Sequence, residues 1–188
     1  MRIASFSIFL AAVAFTLSAQ AANPQVEIKT SAGSIIAELY ADKAPKTVDN
    51  FLEYVKSGHY AGTVFHRVIP GFMIQGGGMP RDLTEKPTRP PLQHEGAACG
   101  TNEAGTLAMA RTGDPHSATS QFFINVANNS RLNYTLPPQG WGYCAFGKVT
   151  KGMDIVQKIV AVPTKAAAQH QNVPVEPITI DSITLISK

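Results

Sequence analysis

Charge is scarce in this sequence, and neither sign dominates. Lys and Arg total 16 and Asp and Glu total 13 among 188 residues, which leaves a formal net charge of +3. Domains that bind nucleic acid usually concentrate basic residues on one face. The weak bias therefore argues against a nucleic-acid footprint, and we expect no nucleic-acid partner.

Cysteine is also scarce. The sequence contains two, Cys99 and Cys144, and neither belongs to the C-x-x-C pairing that is typical of redox motifs and zinc knuckles. An oxidising compartment would permit a disulfide between them, but only the separation of their Cα atoms decides whether the bond can form. The sequence leaves this pairing open.

Motifs of several catalytic classes are missing as well. The five histidines show no spacing typical of metal ligands, and the polar loop at 114–120 lacks the G-x-S-x-G elbow of hydrolases. The triple glycine at 76–78 is not part of a G-x-x-x-x-G-K-[ST] phosphate-binding loop. We therefore expect no metal site, no cofactor and no covalent nucleophile.

The longest apolar run lies at the N-terminus. Arg2 precedes the run from residue 3 to residue 17, and small residues follow at Ala19 and Ala21. This is the layout of a secretory signal peptide that is cleaved after Ala21. Because the run is shorter than the roughly 20 residues needed to span a bilayer, we expect a cleaved signal peptide over 1–21 and no membrane attachment afterwards.

The remaining chain, residues 22–188, has the size of one domain with a sizeable core. Apolar residues at helical spacing predict one helix between Pro45 and Gly58 and a second over Met153–Val160. Eight short runs rich in β-branched and aromatic residues predict strands. These runs are residues 26–30, 35–40, 63–69, 72–75, 106–111, 121–126, 144–149 and 178–186. The predicted fold is all-β, a closed eight-stranded antiparallel barrel capped by two α-helices.

Three of the predicted strands carry the best candidates for a functional site. Since side chains alternate faces along a strand, certain residues are predicted to share a face within each strand. They are Phe65, Arg67 and Ile69 in the first, Met73 and Gln75 in the second, and Gln121, Phe123 and Asn125 in the third. His66 is expected on the face opposite Arg67, as a hydrogen-bonded structural histidine. If these shared faces converge, they form a shallow apolar groove with a few polar groups. A groove of this composition suits a ligand that contains an apolar ring and an amide.

Three sequence blocks carry a family resemblance. They are residues 65–77, 120–124 and 146–149, and in order and approximate spacing they resemble the signature blocks of the cyclophilin family of peptidyl-prolyl isomerases. The resemblance covers roughly residue 26 to the C-terminus and is closest to secreted bacterial members. It implies a cyclophilin-like barrel in a monomeric periplasmic enzyme. Its partners would be proline-containing segments of exported proteins that are unfolded or still folding.

The implied reaction needs a hydrogen-bond donor rather than a nucleophile. Amide resonance opposes rotation about a peptide bond with a barrier of about 18–20 kcal/mol, yet no covalent bond has to break. In the twisted transition state the lone pair localises on the proline nitrogen, so a donor placed there binds that state better than either ground state. Arg67 is the candidate, because a guanidinium is always charged and offers several donors.

The resemblance also implies roles for the other candidates. Phe72 and Gln75 join Arg67 as predicted catalytic residues, with Gln75 forming a hydrogen bond to the substrate backbone. The predicted substrate-binding residues are Met73, Ala110, Arg111, Gln121, Phe123, Leu132 and Tyr143. Of these, Met73, Phe123 and Leu132 would line the proline pocket together with Phe72.

One position departs from the best-known members of the family. Arg131 stands where cyclosporin-sensitive cyclophilins carry tryptophan, so sensitivity to cyclosporin is not implied. The single tryptophan, Trp141, lies in an extra segment, residues 133–142, whose path the sequence does not predict.

A second hypothesis from another functional class is a proline-peptide binding module or chaperone holdase in which catalysis is incidental. Binding alone would not require a donor aimed at the proline nitrogen. The presence of Arg67 together with Phe72, Gln75 and Phe123 therefore favours the enzyme.

Overall fold

A computed structural model describes residues 23–136 and 140–187 of the chain. The predicted signal peptide over 1–21 lies outside the described residues, as does the first residue of the predicted domain. Within the described ranges, none of the helices is long and apolar enough to cross a membrane.

The described part of the chain consists mainly of short strands with two α-helices. The strands are β1 (Gln25–Thr30), β2 (Gly33–Leu39), β3 (Thr63–Ile69), β4 (Met73–Gly76), β5 (Thr106–Met109), β6 (Phe122–Asn125), β7 (Ala145–Lys151), β8 (Thr164–Ala167), β9 (His170–Pro174) and β10 (Thr179–Ser187). The α-helices are α1 (Pro45–Lys56) and α2 (Met153–Val160). Two short 3-10 helices cover Gly96–Ala98 and Ser130–Leu132.

Eight of these strands close into a barrel in the order β1-β10-β3-β4-β6-β5-β7-β2. Every neighbouring pair is antiparallel, and the long pairing of β10 with β1 joins the end of the chain to its first strand. Each barrel strand thus has a partner on both sides, and the shortest pairing, between β10 and β3, joins Thr179 to Val64 and Ile180 to Thr63. The predicted eight-stranded antiparallel barrel is confirmed, and its strands correspond to β1 to β7 and β10.

Strands β8 and β9 form a separate hairpin that the sequence did not predict. Its turn contains Ala168 at a φ of 52°, a conformation in which hairpins usually place glycine, asparagine or aspartate. Three of the four residues of β8 are exposed, so the strand shows no buried alternation either. The hairpin packs beside β3, where the ring centroid of His170 lies 5.8 Å from that of His66.

Helix α1 follows from Pro45 at its first position and from apolar residues at helical spacing. The fully buried Phe51 of this helix packs against two aromatic rings of the barrel. Its ring centroid lies 5.6 Å from that of Phe122 in β6 and 5.1 Å from that of Phe146 in β7. Burying such a side chain stabilises the fold by about 1.5–3 kcal/mol. Helix α2 buries Val156 on the same core.

The side chains of β3 do not alternate as the sequence predicted. Phe65 pairs with Gly76 and Arg67 pairs with Gln75, so the two residues Phe65 and His66 oppose one position of β4 in a β-bulge. As a result Phe65 enters the barrel core, whereas Arg67 is exposed. The prediction that Phe65 shares a face with Arg67 is therefore wrong, because the bulge shifts the alternation by one residue.

The structure also answers the question that the cysteines left open. Cys99 and Cys144 form a disulfide with a Cα separation of 5.0 Å. The bond joins the loop that precedes β5 to the residue immediately before β7.

Candidate active site

The candidate site lies on the outer face of four neighbouring barrel strands, β3, β4, β6 and β5. Alternate side chains of these strands enter the barrel core, namely Val68, Ile74, Leu107, Met109, Phe122 and Ile124. The intervening side chains of Met73, Ala108 and Phe123 point outward and form a second apolar cluster with Ala145. Strand alternation therefore separates the core from a second, outward-facing surface.

A groove of about 200 Å³ crosses this outward face. Nine of the ten predicted site residues line it, namely Arg67, Phe72, Met73, Gln75, Ala110, Arg111, Phe123, Leu132 and Tyr143. The tenth, Gln121, lines an adjoining cavity of about 310 Å³ and accepts a hydrogen bond of 3.0 Å from Gln75 Nε2. The structure thus brings all ten residues together around one continuous surface.

Arg67 is an exposed side chain that opens onto the groove. It stands directly opposite Gln75 in the neighbouring strand. In the described part of the chain both ion pairs use Glu53, so no carboxylate neutralises the guanidinium of Arg67 there. The guanidinium therefore keeps its donors for a ligand in the groove.

His66, the next residue, has the opposite environment. The side chain is 3% exposed, and its Nδ1 atom has no hydrogen-bond partner among the described residues. Burial lowers the pKa of His66 to about 4, with smaller contributions from the nearby His170 and from Arg67. A neutral imidazole at this position adds no charge beside the groove.

The apolar end of the groove has a closely packed wall. Met73 and Phe123 are only 2% and 4% exposed, and Phe72 and Leu132 pack against them. The ring of Tyr143 meets that of Phe123 edge to face, with 5.5 Å between the centroids. Such a wall suits an apolar ring of small size.

Two alanines at the base of this wall were missed by the sequence reasoning. Ala108 and Ala145 are fully buried within the same outward cluster as Met73 and Phe123. Neither alanine lines the groove itself; both pack beneath the wall that Met73 and Phe123 form. Ala108 could have been found, because it lies two residues from Ala110 and alternation places both on one face.

Arg111 is held against the rim of the groove by the extra segment of the chain. Its Nε atom donates to the carbonyl oxygen of Gly142 at 2.9 Å, and Nη1 donates to that of Thr112 at 2.7 Å. The guanidinium also lies over the ring of Tyr143, 4.7 Å from the centroid. These contacts hold the side chain of Arg111 at the rim of the groove.

The described part of the extra segment, residues 133–136 and 140–142, runs along this rim. Trp141 packs edge to face against His116, His94 and Tyr134, with centroid separations of 5.0, 5.7 and 5.8 Å. The tryptophan therefore anchors the segment to the loops before β5 and β6.

Arg131, the position at which the sequence departs from cyclosporin-sensitive cyclophilins, lies over the ring of Phe72 at 5.0 Å from its centroid. A charged group thus covers the outer edge of the apolar wall.

The arrangement combines two chemical capacities. Its apolar end can bind a ring, and its polar side presents the cationic donor Arg67 and the amide of Gln75, with the amide of Gln121 in the adjoining cavity. It can therefore hold an amide bond between a fixed ring and a directed hydrogen-bond donor.

Comparison with known proteins shows the class to which this barrel and its outward groove belong. The family model described as cyclophilin type peptidyl-prolyl cis-trans isomerase/CLD matches residues 25–185. The chain therefore belongs to the cyclophilin family and is a peptidyl-prolyl cis-trans isomerase.

Several bacterial relatives match over most of their length. The chain is 55% identical to peptidyl-prolyl cis-trans isomerase cyp18 of Streptomyces antibioticus, over 86% of this chain and 98% of the relative. It is 50% identical to peptidyl-prolyl cis-trans isomerase B of Escherichia coli K12, over 85% of this chain and 98% of the relative.

Solved structures show the same fold. A cyclophilin type peptidyl-prolyl cis-trans isomerase of Cryptosporidium parvum superimposes with a TM-score of 0.71 at 28% identity, covering 88% of this chain and 99% of that one. A second structure of that protein, obtained in the presence of the dipeptide Ala-Pro, gives the same TM-score and identity over 87% of this chain and 99% of that one.

Proposed function

We propose that the isomerase acts through Arg67, which donates a hydrogen bond to the nitrogen of the substrate proline as the peptide bond twists. The observation that carries this proposal is the placement of a guanidinium without a carboxylate partner, among the described residues, in the same groove as the buried wall of Met73 and Phe123. The wall holds the ring, and the donor meets the localised lone pair.

The polar side of the groove supplies the second contact. Gln75 Nε2 donates one hydrogen to Gln121 Oε1, which orients the amide and leaves its second hydrogen and its oxygen available to the substrate backbone. Phe72 completes the wall on the other side of the ring. In this arrangement the flanking residue turns while the ring stays fixed.

The energy required of Arg67 is moderate. A differential gain of about 3–4 kcal/mol in the transition state corresponds to about two to three powers of ten in rate. Charge-assisted hydrogen bonds are roughly twice as strong as neutral ones, so one such contact can provide a large part of this gain.

Peptide kinetics with Arg67→Ala tests the proposal. We expect kcat/KM for an X-Pro peptide to fall by about 100-fold or more, because the donor to the proline nitrogen is lost. Arg89→Ala is the matched control, since Arg89 is an exposed arginine whose Nη1 pairs with Glu53 at 3.1 Å outside the groove. An active Arg67→Ala variant, or an equal loss in Arg89→Ala, would contradict the assignment.

The proposed cellular role depends on the compartment in which the enzyme works. We propose that the enzyme is exported to the periplasm and isomerises proline-containing segments of exported proteins while they fold. The apolar run at 3–17 supports export, and the Cys99–Cys144 disulfide is a bond that oxidising compartments permit. We propose that the enzyme acts as a monomer.

Fractionation of cells that express the full sequence tests export. We expect the protein in the periplasmic fraction, with a mature N-terminus at Ala22 by mass spectrometry and with both cysteines oxidised. Retention of Met1 in a cytoplasmic protein with free thiols would contradict the proposal.

A binding role is the second candidate. The groove shares Gln75, Ala110 and Arg111 with the adjoining cavity, so an extended segment can be held on more than one side of its proline. Rescue of a client protein by the Arg67→Ala variant separates the two functions. Rescue without catalysis would make peptide binding primary, whereas loss of both supports the enzyme.

A further inference from the structure

Three buried asparagines lie behind the apolar end of the groove, and none of them lines it. Asn102 is in the loop before β5, Asn125 ends β6, and Asn129 immediately precedes the 3-10 helix Ser130–Leu132. They are 1%, 0% and 6% exposed. A buried amide without partners destabilises a fold, so the partners of these side chains explain their presence.

The three amides form one directed chain of hydrogen bonds. Asn129 Nδ2 donates to Asn125 Oδ1 at 2.7 Å, and Asn125 Nδ2 donates to Asn102 Oδ1 at 3.2 Å. The second hydrogen of Asn125 Nδ2 goes to Thr106 Oγ1 at 2.9 Å. The chain therefore has a single direction, because turning any one amide around would place a donor against a donor or an acceptor against an acceptor.

Both ends of the chain reach backbone carbonyls of groove residues. At one end Asn129 Nδ2 donates to the carbonyl of Phe72 at 2.8 Å. At the other end Asn102 Nδ2 donates to the carbonyls of Leu132 and Tyr143 at 3.1 and 3.0 Å. All three residues lie outside the barrel strands. Backbone hydrogen bonds hold Phe72 to Val126 N at 3.0 Å and Leu132 to Tyr143 N at 2.8 Å. The asparagine chain connects these two backbone-bonded parts of the wall with each other.

We propose that Asn102, Asn125 and Asn129 are positioning residues that set the spacing of the apolar wall and thereby the affinity for the proline ring. This inference rests on the proposed function, because the wall that they support is the predicted proline pocket. The asparagines touch no substrate. They act through Phe72, Leu132 and Tyr143, which they connect from behind.

The position of the network predicts how its loss affects catalysis. Arg67 and Gln75 belong to β3 and β4, and their places are fixed by the strand register rather than by the asparagines. Removing an amide therefore loosens the wall and leaves the donor in place. Such a change weakens binding of the ground state and of the transition state by the same factor. It therefore raises KM and leaves kcat nearly unchanged.

Asn129→Ala and Asn102→Ala are the variants for the test, each in the full mature chain. We expect KM for an X-Pro peptide to rise by about fivefold to tenfold while kcat changes by less than about twofold. The dissociation constant of the same peptide, measured by NMR titration, should rise by the same factor as KM. Asn129→Ser keeps one donor for two acceptors and should give an intermediate KM.

Thr63→Val is the matched control. Thr63 is fully buried, and its Oγ1 donates to the carbonyl of Tyr60 at 2.6 Å away from the groove. Valine has the same shape without the hydroxyl, so this variant removes one buried hydrogen bond and should keep KM within about twofold of the wild type. All variants are assayed at a temperature at which circular dichroism shows them folded.

The outcomes separate the inference from the proposed function. Folded asparagine variants with the wild-type KM, or an equal rise of KM in Thr63→Val, would overturn the positioning role alone. A wild type without activity, or an active Arg67→Ala, would overturn the proposed function instead. If Asn129→Ala and Asn102→Ala do not fold, the KM of Asn129→Ser decides, and a wild-type value for it counts against the inference.

Discussion

Adjacent residues at the site have opposite properties, and the bulge in β3 explains why. Arg67 is exposed on the groove face, whereas His66 is buried beneath the β8–β9 hairpin beside His170. Without the bulge, Phe65 would lie beside Arg67 on the outer surface instead of in the core. One extra residue in β3 thus supplies both a buried aromatic ring and an accessible cation.

His66 makes stability depend on pH. Its pKa is lowered from 6.5 to about 4 in the folded protein, mainly by burial, so the unfolded chain binds more protons between these values. The free energy of unfolding therefore falls as pH decreases through this window. Between pH 7 and pH 5 we expect His66 to contribute about 2 kcal/mol of this loss.

Denaturant unfolding of the wild type and of His66→Gln at several pH values checks this expectation. The variant should lose less stability than the wild type on acidification, because glutamine binds no proton in this range. Titration of the His66 ring by NMR gives the folded-state pKa directly. A midpoint near 6.5, or equal pH dependence of the two proteins, would contradict the burial argument.

At the scale of elements, the sequence predicted the regular parts of the fold well. The eight barrel strands and both helices follow from apolar periodicity, since each buries one face. The β8–β9 hairpin was not predicted, because its turn at Ala168 lacks glycine and most residues of its first strand are exposed. The bulge in β3 was not predicted either, because the alternation of side chains along a strand does not show where an extra residue is inserted.

The site was predictable to a different degree. Arg67, Met73, Gln75 and Phe123 could be grouped from strand alternation alone. Residues of the connecting segments, such as Leu132, were assigned only through the family resemblance, since loops carry no periodicity. The asparagine network could not be predicted, because Asn102 and Asn129 lie in loops, where asparagine usually indicates a turn, and because most partners of the three amides are distant in the sequence.

Gly76 tests the importance of the bulge. A Cβ atom at this position would lie 2.8 Å from the carbonyl oxygen of Val64 and 3.1 Å from Cα of Phe65, both of which are backbone atoms. We expect Gly76→Ala to destabilise the fold by about 1–3 kcal/mol and to lower activity, because β3 must shift relative to β4.

The matched control is Gly113→Ala, because a Cβ atom at Gly113 meets nothing within 4 Å. Thermal unfolding and peptide kinetics of both variants provide the measurement. We expect the control to remain close to the wild type. Similar behaviour of the two variants would show that the close approach at the bulge is not required.

At the scale of the whole molecule, the barrel core provides stability and the groove on its outer face provides the site. The core of large aromatic and aliphatic side chains holds the strands, and the outward face of four of them carries the site. The barrel thereby provides a rigid support for contacts that must favour a twisted peptide bond over a planar one. Catalysis then depends on where side chains stand, and no covalent chemistry is required.

The most direct test measures binding and exchange separately on one sample of Arg67→Ala. NMR titration of an X-Pro peptide gives its dissociation constant, and exchange spectroscopy gives the cis/trans rate of the bound peptide. The account predicts a dissociation constant within about tenfold of the wild-type value and a bound exchange rate lower by about 100-fold, because Arg67 stabilises the transition state more than the ground state. Wild-type exchange in the bound variant would contradict that claim.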